Sequence, residues 1–178
     1  MFKVIGLIGA PCVGKDCISS RLVEKYGFKK FAFGDYIKEL YYKEIGITEE
    51  YFKSCRGTPE EQSIRNGLWN FSDEIRKIHG NDFFISPVIT KIKNEELAVI
   101  TDIRTNDELS SSLFSSKAHI IFVTRGQDEY LGNIPETRMS YKWILSLLKN
   151  FSNYFSYFNN NFNSLDDFYS NFDSFYEK

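Results

Sequence analysis

The sequence predicts an α/β domain in which a parallel sheet is covered by helices on both faces. Two observations favour this fold class. Short apolar, β-branched runs alternate with longer segments of helical periodicity along the chain. The first run also leads directly into a glycine-rich segment, GAPCVGKD. The 178 residues, 42% of them hydrophobic, suffice for one domain with a buried core, and no repeat or long linker divides them.

The amino-terminal third predicts two strand–helix units. Residues 2–8 form an apolar run that ends in glycine, which is typical of a central buried strand. Residues 14–26 are amphipathic, and Gly27 ends that helix. Residues 30–33 predict a second strand, after which Asp35 is expected to cap a helix that continues to about residue 44.

The middle of the chain predicts mainly helix. After a mixed stretch at 46–57, which includes a short helix, Thr58-Pro59-Glu60-Glu61 has the pattern of a capping box with proline at the first helical position. The helix that follows should run to His79 and end at Gly80. Its apolar stripe consists of Ile64, Leu68, Phe71, Ile75 and Ile78. A further helix covers 82–93, with Pro87 inside it.

The second half alternates again between strand and helix. We expect strands at 97–101, 119–124 and 154–158, helices at 106–116, 140–149 and 165–176, and an irregular stretch at 126–135. Five strands separated by helices predict a parallel sheet.

Composition limits the function classes. The net charge of −2 gives no electrostatic basis for binding duplex nucleic acid. Three cysteines without a C-x-x-C pair, together with two histidines, cannot provide a zinc-site spacing. No apolar run reaches membrane-spanning length, so a cytoplasmic protein with reduced thiols is expected.

The glycine-rich segment fits the pattern G-x-x-x-x-G-K, with an apolar strand before it and an amphipathic helix after it. In such a loop the main-chain N–H groups converge on phosphates at the positive end of a helix dipole. Lys15 should reach the β- and γ-phosphates of a nucleoside triphosphate. The candidate triphosphate-binding residues are Gly9, Ala10, Pro11, Cys12, Val13, Gly14, Lys15, Asp16 and Cys17.

Asp16 stands where serine or threonine usually ligates magnesium. Two interpretations are open: Asp16 acts on magnesium through water, or it caps the helix.

An acid and an arginine follow the predicted strand at 97–101 and form a second constellation. Asp102 could orient hydrated magnesium or accept a proton, and Arg104 could clamp a phosphate bidentately. The alternative is an ion pair that holds the loop. Glu108 is expected to orient Arg104 rather than to touch a substrate.

Further candidate cations come from the helices and from the region after the fourth strand. Lys38 lies one turn after Asp35. Arg65 and Arg76 are eleven residues apart on one helix face, about three turns. Arg125 and Arg138 are candidates for an arginine-bearing lid over about residues 126–140. Ordinary solvated side chains are the alternative for each.

Four segments give the chain a family resemblance. Gly14-Lys15-Asp16 is similar to a G-K-D form of the loop, and residues 31–39 (FAFGDYIKE) resemble F-A-x-A-D-P-L-K-E. Residues 101–104 (TDIR), with Glu108, resemble D-V-R-F-x-N-E, and residues 159–165 resemble N-D-G-S-L. In these segments the chain resembles the adenylate-kinase-like P-loop kinases, and among them the deoxynucleoside monophosphate kinases typical of bacteriophages.

The resemblance implies a three-layer P-loop NTPase fold with strand order 2-3-1-4-5, ATP as donor, magnesium, and a nucleoside monophosphate as acceptor. It divides the chain into a core at 1–33 and 97–178 and an acceptor-binding helical region at about 34–96. By position, Asp35, Lys38 and Arg104 would contact the acceptor, and Asn160 would border adenine. Arg125 would lie near the donor base or act from the lid.

Three departures accompany the resemblance. Cys17 replaces a threonine that is frequent in the family, and a thiol is a poor magnesium ligand. Tyr36 replaces a proline, and the short chain predicts a reduced lid.

The partners expected are small-molecule nucleotides, with neither nucleic acid nor membrane, and the oligomeric state is left open, with a homodimer as one option. Two rival functions also stay open. One is a kinase of the same fold acting on another small acceptor, such as dephospho-coenzyme A. The other is a nucleotide-binding regulatory protein without turnover.

Overall fold

The computed structural model describes residues 3–112, 118–125, 141–150, 153–162 and 164–177. Within these ranges the elements follow in the order β1 (Val4–Ile8), α1 (Lys15–Tyr26), β2 (Lys29–Phe31), α2 (Phe33–Ile45), α3 (Glu49–Ser54), α4 (Pro59–His79), α5 (Asp82–Lys93), β3 (Ala98–Ile100), α6 (Asn106–Ser112), β4 (Ala118–Thr124), α7 (Tyr141–Asn150), β5 (Phe155–Asn159) and α8 (Leu165–Tyr176).

The five strands form one parallel sheet in the order β2-β3-β1-β4-β5, which confirms the predicted topology. Central β1 pairs with β3 through Val4–Ala98 and with β4 through Val4–Ala118, both in parallel register. The connections that leave neighbouring strands β1 and β3 run to opposite sides of the sheet, to β2 and to β4. The carboxyl ends of β1 and β3 therefore border the crevice where open α/β sheets bind ligands.

Residues of β1 alternate between two hydrophobic cores. Ile5 and Leu7 face one core with Ile18 of α1 and Phe172 of α8. Val4 and Ile8 belong to the other, which includes residues of α2, α5 and α7. Because both faces of the strand are buried, its sequence is a continuous apolar run instead of an alternating one.

The aromatic-rich carboxyl terminus contributes to the first of these cores. Phe158, Phe168 and Phe172 are buried there, and the Phe158 ring meets the other two edge-on at centroid distances of 5.7 and 5.6 Å. A partly buried ion-pair network also ties α8 to α1, because Asp173 accepts hydrogen bonds from Arg21 and Lys25. The aromatic side chains of the carboxyl-terminal segment are therefore part of the hydrophobic core.

Several predicted boundaries move by one to three residues, and two predictions about α2 and α4 are wrong. The second strand ends at Phe31 instead of 33, and α2 begins at Phe33. Asp35 therefore lies in the first turn of α2 and does not cap it. Ile78, placed on the apolar stripe of α4, is 65% exposed and does not belong to the core.

The predicted start of α4 is confirmed, with a change of partner. Thr58 Oγ1 accepts the Glu61 N–H at 3.3 Å, as a capping box requires. The Glu61 carboxylate accepts the N–H of Gly57, one residue before Thr58, at 2.7 Å. Of the helix expected at 106–116, the structure describes Asn106–Ser112. The stretch expected to be irregular at 126–135 lies outside the described residues.

Candidate functional site

The loop between β1 and α1 has the backbone of a phosphate cradle. Gly14 has φ 105°, and Cys12 has φ 62°, the one positive φ among the described residues that are not glycine. A Cβ on Gly9 would collide with the carbonyl oxygen of Val123 on β4, so only glycine lets the chain leave β1 at this point. The turn delivers the N–H groups of the loop to the amino terminus of α1. Together with the strand order, this loop confirms the predicted P-loop fold.

Asn160 supports the loop from its core side. Its Nδ2 donates to the carbonyl oxygen of Val13 at 2.9 Å, and its main-chain N–H donates to Thr124 at 2.7 Å. A Cβ on Gly14 would approach Asn160 Nδ2 to 2.7 Å, which shows how closely the two residues pack. The buried side chain of Asn160 thus couples the end of β5 to the loop. Its role beside adenine stays a prediction.

The side chain of Lys15 lies back over the loop. Its ammonium group donates to the carbonyl oxygens of Gly9 at 2.8 Å and Ala10 at 2.6 Å. This position holds a positive charge beside the cradle. The predicted contact with β- and γ-phosphates stays a prediction.

A cavity of about 410 Å³ opens over the loop, and we call it the donor cavity. Its lining combines the loop with β2, α2 and the segment after β3. The lining residues are Gly9, Pro11, Cys12, Lys15, Asp16, Lys30, Ala32, Asp35, Lys38, Thr101, Asp102, Ile103 and Arg104. Cys17 does not line it, because its side chain packs against the core between α1 and α8. A thiol therefore does not face this cavity at the position where the family often has threonine.

Asp102 joins the end of β3 to the start of α2. Its Oδ1 accepts the N–H of Phe33 and its Oδ2 accepts the N–H of Gly34, both at 2.7 Å. The carboxylate therefore serves as the amino-terminal cap of α2, a role that was predicted for Asp35. Burial raises the pKa of Asp102 to about 6, against the opposing effects of the Gly34 N–H and of Arg104.

Glu108 fixes the segment that carries Arg104. Its Oε2 accepts the N–H of Arg104 at 2.7 Å and that of Thr105 at 3.0 Å, while Thr105 Oγ1 accepts the Glu108 N–H at 3.2 Å. This is a capping box at the start of α6. Glu108 thus orients the main chain of Arg104 and leaves its guanidinium exposed. Burial raises the pKa of Glu108.

A second cavity, of about 340 Å³, lies between α2, α4 and the segment after β3, and we call it the acceptor cavity. The names of both cavities follow the roles that the resemblance implies for their residues. It shares Lys38, Asp102 and Arg104 with the donor cavity. The lining residues are Gly34, Ile37, Lys38, Gln62, Arg65, Asn66, Leu68, Trp69, Ser72, Arg76, Asp102, Arg104, Thr105 and Glu108. The two cavities therefore adjoin across one acid and two cations.

The arginines predicted on one face of α4 do line one cavity. Arg76 pairs with Glu108 at 3.7 Å, donates to Ser72 at 3.0 Å and lies over the Phe84 ring. Arg65 is more exposed, and its Nη2 lies 2.7 Å from Glu61. Arg76 is therefore fixed in place, whereas Arg65 sits at an exposed position on the same helix.

Sequence reasoning missed three residues of this cavity. Trp69 is 48% exposed on the face of α4 that carries Arg65 and Arg76. Gln62 Nε2 donates to Asn66 Oδ1 at 2.9 Å one turn away. The spacing of Arg65, Trp69 and Arg76, at i, i+4 and i+11, was the signal that could have identified Trp69.

The remaining candidates are Asp35, Lys38, Arg125 and Arg138. Lys38 Nζ pairs with Asp35 Oδ1 at 2.9 Å, and both residues line the donor cavity. Arg125 follows β4, is exposed and lines neither cavity. Arg138 and the lid predicted at about 126–140 lie outside the described residues.

A magnesium ion would find few protein ligands here. Among the described residues, no group of three or more His, Cys, Asp or Glu side chains is arranged to hold a metal. Asp16 and Asp102 both line the donor cavity, and carboxylate oxygen is a suitable donor for this ion. The residues present therefore fit a magnesium that keeps its waters and is bound chiefly through phosphate oxygens.

No protein-family model and no curated protein matches the sequence. The fold is similar to shikimate kinase from Aquifex aeolicus, with 15% identity, coverage of 98% of this chain and 96% of the other, and a TM-score of 0.45. Shikimate kinase from Acinetobacter baumannii in complex with shikimate has 13% identity, coverage of 98% and 93%, and a TM-score of 0.46. A structure from Chloroflexus aurantiacus described as a kinase has 10% identity, coverage of 99% of this chain and 98% of the other, and a TM-score of 0.46.

None of the described helices is both long and apolar enough to cross a membrane.

Proposed function

We propose that this chain transfers the γ-phosphoryl group of ATP to a nucleoside monophosphate or deoxynucleoside monophosphate. The observation that carries the proposal is the junction of the two cavities at Lys38, Asp102 and Arg104. A triphosphate held by the loop would direct its γ-phosphate toward this junction. An anionic acceptor on the other side would meet the same cations. Positioning and charge compensation are what phosphoryl transfer requires of a protein.

The reaction is a direct in-line transfer. An oxygen of the acceptor phosphate attacks the γ-phosphorus, the bond from that phosphorus to the β,γ-bridging oxygen breaks, and ADP leaves. The attacking oxygen is already anionic near neutral pH, so the transfer needs no general base. Lys15, Lys38 and Arg104 line the cavity in which charge develops and would offset it. Bound magnesium would supply further positive charge at the phosphates, with Asp16 and Asp102 as its water-mediated contacts.

The acceptor cavity offers what a nucleotide needs besides a phosphate site. Trp69 lies seven residues from Arg76 on the same helix face, a rise of about 10 Å along the axis. A planar base can stack on an exposed indole while its phosphate meets the cations near Arg104. The amides of Gln62 and Asn66 lie on the same helix and can hydrogen-bond a base edge. This combination favours a nucleotide over an acceptor without an aromatic ring.

The experiment is an acceptor panel with ATP labelled in its γ-phosphate. The panel contains each ribo- and deoxyribonucleoside monophosphate, dephospho-coenzyme A, and shikimate, which is bound in one of the similar structures. We expect label on at least one nucleoside monophosphate, and loss of transfer in Lys15→Ala but not in Lys29→Ala, a cation on β2 that lines neither cavity.

Two outcomes would replace the proposal. Label on dephospho-coenzyme A or shikimate with none on a nucleotide would make this a kinase for a different acceptor. ATP binding without transfer to any acceptor would make it a nucleotide-binding regulatory protein.

A further inference from the structure

Beside the phosphate loop, Asp16 and Lys30 form an ion pair that the sequence patterns did not predict. Lys30 Nζ on β2 lies 3.0 Å from Asp16 Oδ1 in the first turn of α1. Both side chains line the donor cavity together with Gly9, Cys12 and Lys15. The ammonium group of Lys30 therefore stands next to the cradle in which a triphosphate would lie.

Asp16 poses an electrostatic problem for a triphosphate site. Its carboxylate directly follows Lys15, and its side chain is 88% exposed. An anion at this position repels phosphates unless a cation lies between them. Lys30 is the cation that the structure places on that carboxylate. Its ammonium group has three N–H donors, so it can bond to Asp16 and to a phosphate oxygen at the same time.

Fold stability gives little reason for this pair. The side chains of Lys30 and Asp16 are 46% and 88% exposed, and ion pairs this exposed contribute little to stability. The neighbouring Lys29 forms a similar pair with Glu95 at 2.7 Å, and neither member of that pair lines the two cavities. The chain thus carries two lysine–carboxylate pairs on adjacent residues of one strand, only one of which faces the donor cavity.

We propose that Lys30 binds the phosphates of the donor, held in place by Asp16 and cancelling the repulsion that Asp16 would otherwise exert. The inference rests on the proposed binding of a nucleoside triphosphate at the loop. Lys30 would add to Lys15 a second lysine charge on the phosphates. Asp16 would be tolerated after Lys15 because Lys30 neutralises it.

The test measures the affinity for a non-hydrolysable ATP analogue by titration calorimetry with EDTA present, so that no magnesium compensates the charges. We expect Lys30→Ala to weaken binding about tenfold or more, as the loss of one charge-assisted hydrogen bond implies. Lys29→Ala is the matched control and should bind within threefold of the unsubstituted protein. The double variant Asp16→Asn, Lys30→Ala should bind more tightly than Lys30→Ala alone, because the uncovered carboxylate is gone.

The results separate the inference from the function on which it rests. If the unsubstituted protein does not bind the analogue, the proposed function itself fails. If it binds, and Lys30→Ala stays within threefold or Lys29→Ala weakens binding equally, Lys30 has no special role at the donor. A double variant no tighter than Lys30→Ala would equally overturn the proposal. Thermal unfolding of each variant identifies any loss of binding that comes from loss of fold. In that case Lys30→Gln, whose uncharged side chain is longer than that of alanine, repeats the measurement.

Discussion

Replacing Asp102 with asparagine should change how the stability of the protein depends on pH. In the folded protein, burial raises the pKa of this carboxyl to about 6 from its ordinary value of 3.8. The folded state therefore binds its proton more tightly than the unfolded state does. By linkage, the contribution of Asp102 to stability is largest below pH 4 and is lost as the pH rises toward 6. Asparagine does not titrate, so the variant lacks this dependence.

The size of the effect follows from the two pKa values. At about 1.4 kcal/mol for each unit of pKa, their difference corresponds to about 3 kcal/mol over the whole titration, most of which is lost between pH 4 and pH 7. This value is an upper limit, because the carboxylate lines two cavities that admit water. The variant should also lose some stability at every pH. Its asparagine NH₂ group meets one of the two N–H donors at the start of α2 and cannot accept that hydrogen bond.

Urea unfolding at pH 4, 5, 6 and 7, followed by tryptophan fluorescence, measures both proteins under matched conditions. The difference in free energy of unfolding, unsubstituted minus Asp102→Asn, should fall by up to about 3 kcal/mol from pH 4 to pH 7. A difference that stays constant over this range, or that rises with pH, would refute the assignment of Asp102 as a buried cap whose ionisation is opposed by its surroundings.

Three further predictions follow from the same contacts. Gly14→Ala places a Cβ 2.7 Å from Asn160 Nδ2 at a residue whose φ is 105°, so the free energy of unfolding measured in urea should fall by about 1–3 kcal/mol. The loss should be smaller for the control Gly57→Ala, where φ is 79° and the space is open. Equal losses would contradict the close packing beneath the loop. Trp69→Ala should raise the KM for the nucleotide acceptor about tenfold and leave the KM for ATP unchanged, because a stacking surface is lost. Steady-state kinetics measure both values, with Trp69→Phe as the conservative control. A raised KM for ATP with an unchanged KM for the acceptor would mean that the indole serves the donor. Asp173→Asn should lower the free energy of unfolding by about 2 kcal/mol at pH 7. Because its cationic partners hold the pKa of Asp173 well below its usual range, the unsubstituted protein should lose this advantage as the pH falls below 4. A difference between the two proteins that is equal at pH 3 and pH 7 would argue against those ion pairs.

Elements with local signals could be predicted from the sequence. The start of α8 matches the prediction because Ser164 caps its own helix by accepting the Asp167 N–H. The start of α4 could be predicted from Thr58 and Pro59, because Thr58 likewise caps its own helix and Pro59 takes the first helical position. The sheet order followed the resemblance, and the phosphate loop followed a motif whose glycines are required by the backbone. At the two helix starts the determining contacts lie within a few residues.

The errors share a different cause, which is a partner that is distant in the sequence. Asp35 has the composition of a cap, yet α2 starts two residues earlier because Asp102, 68 residues away from Gly34, supplies the acceptors. The pairing of Lys30 with Asp16 depends on β2 lying beside α1. The acceptor cavity depends on how α4 packs over α2, so no sequence pattern singled out Trp69. Local patterns give no information about such contacts.

The most direct test of the central claim is amide hydrogen exchange of the intact protein with and without a non-hydrolysable ATP analogue. The account holds that main-chain N–H groups between Gly9 and Asp16 bind phosphates. It therefore predicts slower exchange in peptides that cover this loop and the first turn of α1, with little change in α5, which lines neither cavity. Bound analogue that leaves exchange in this loop unchanged, and slows it elsewhere, would contradict the account.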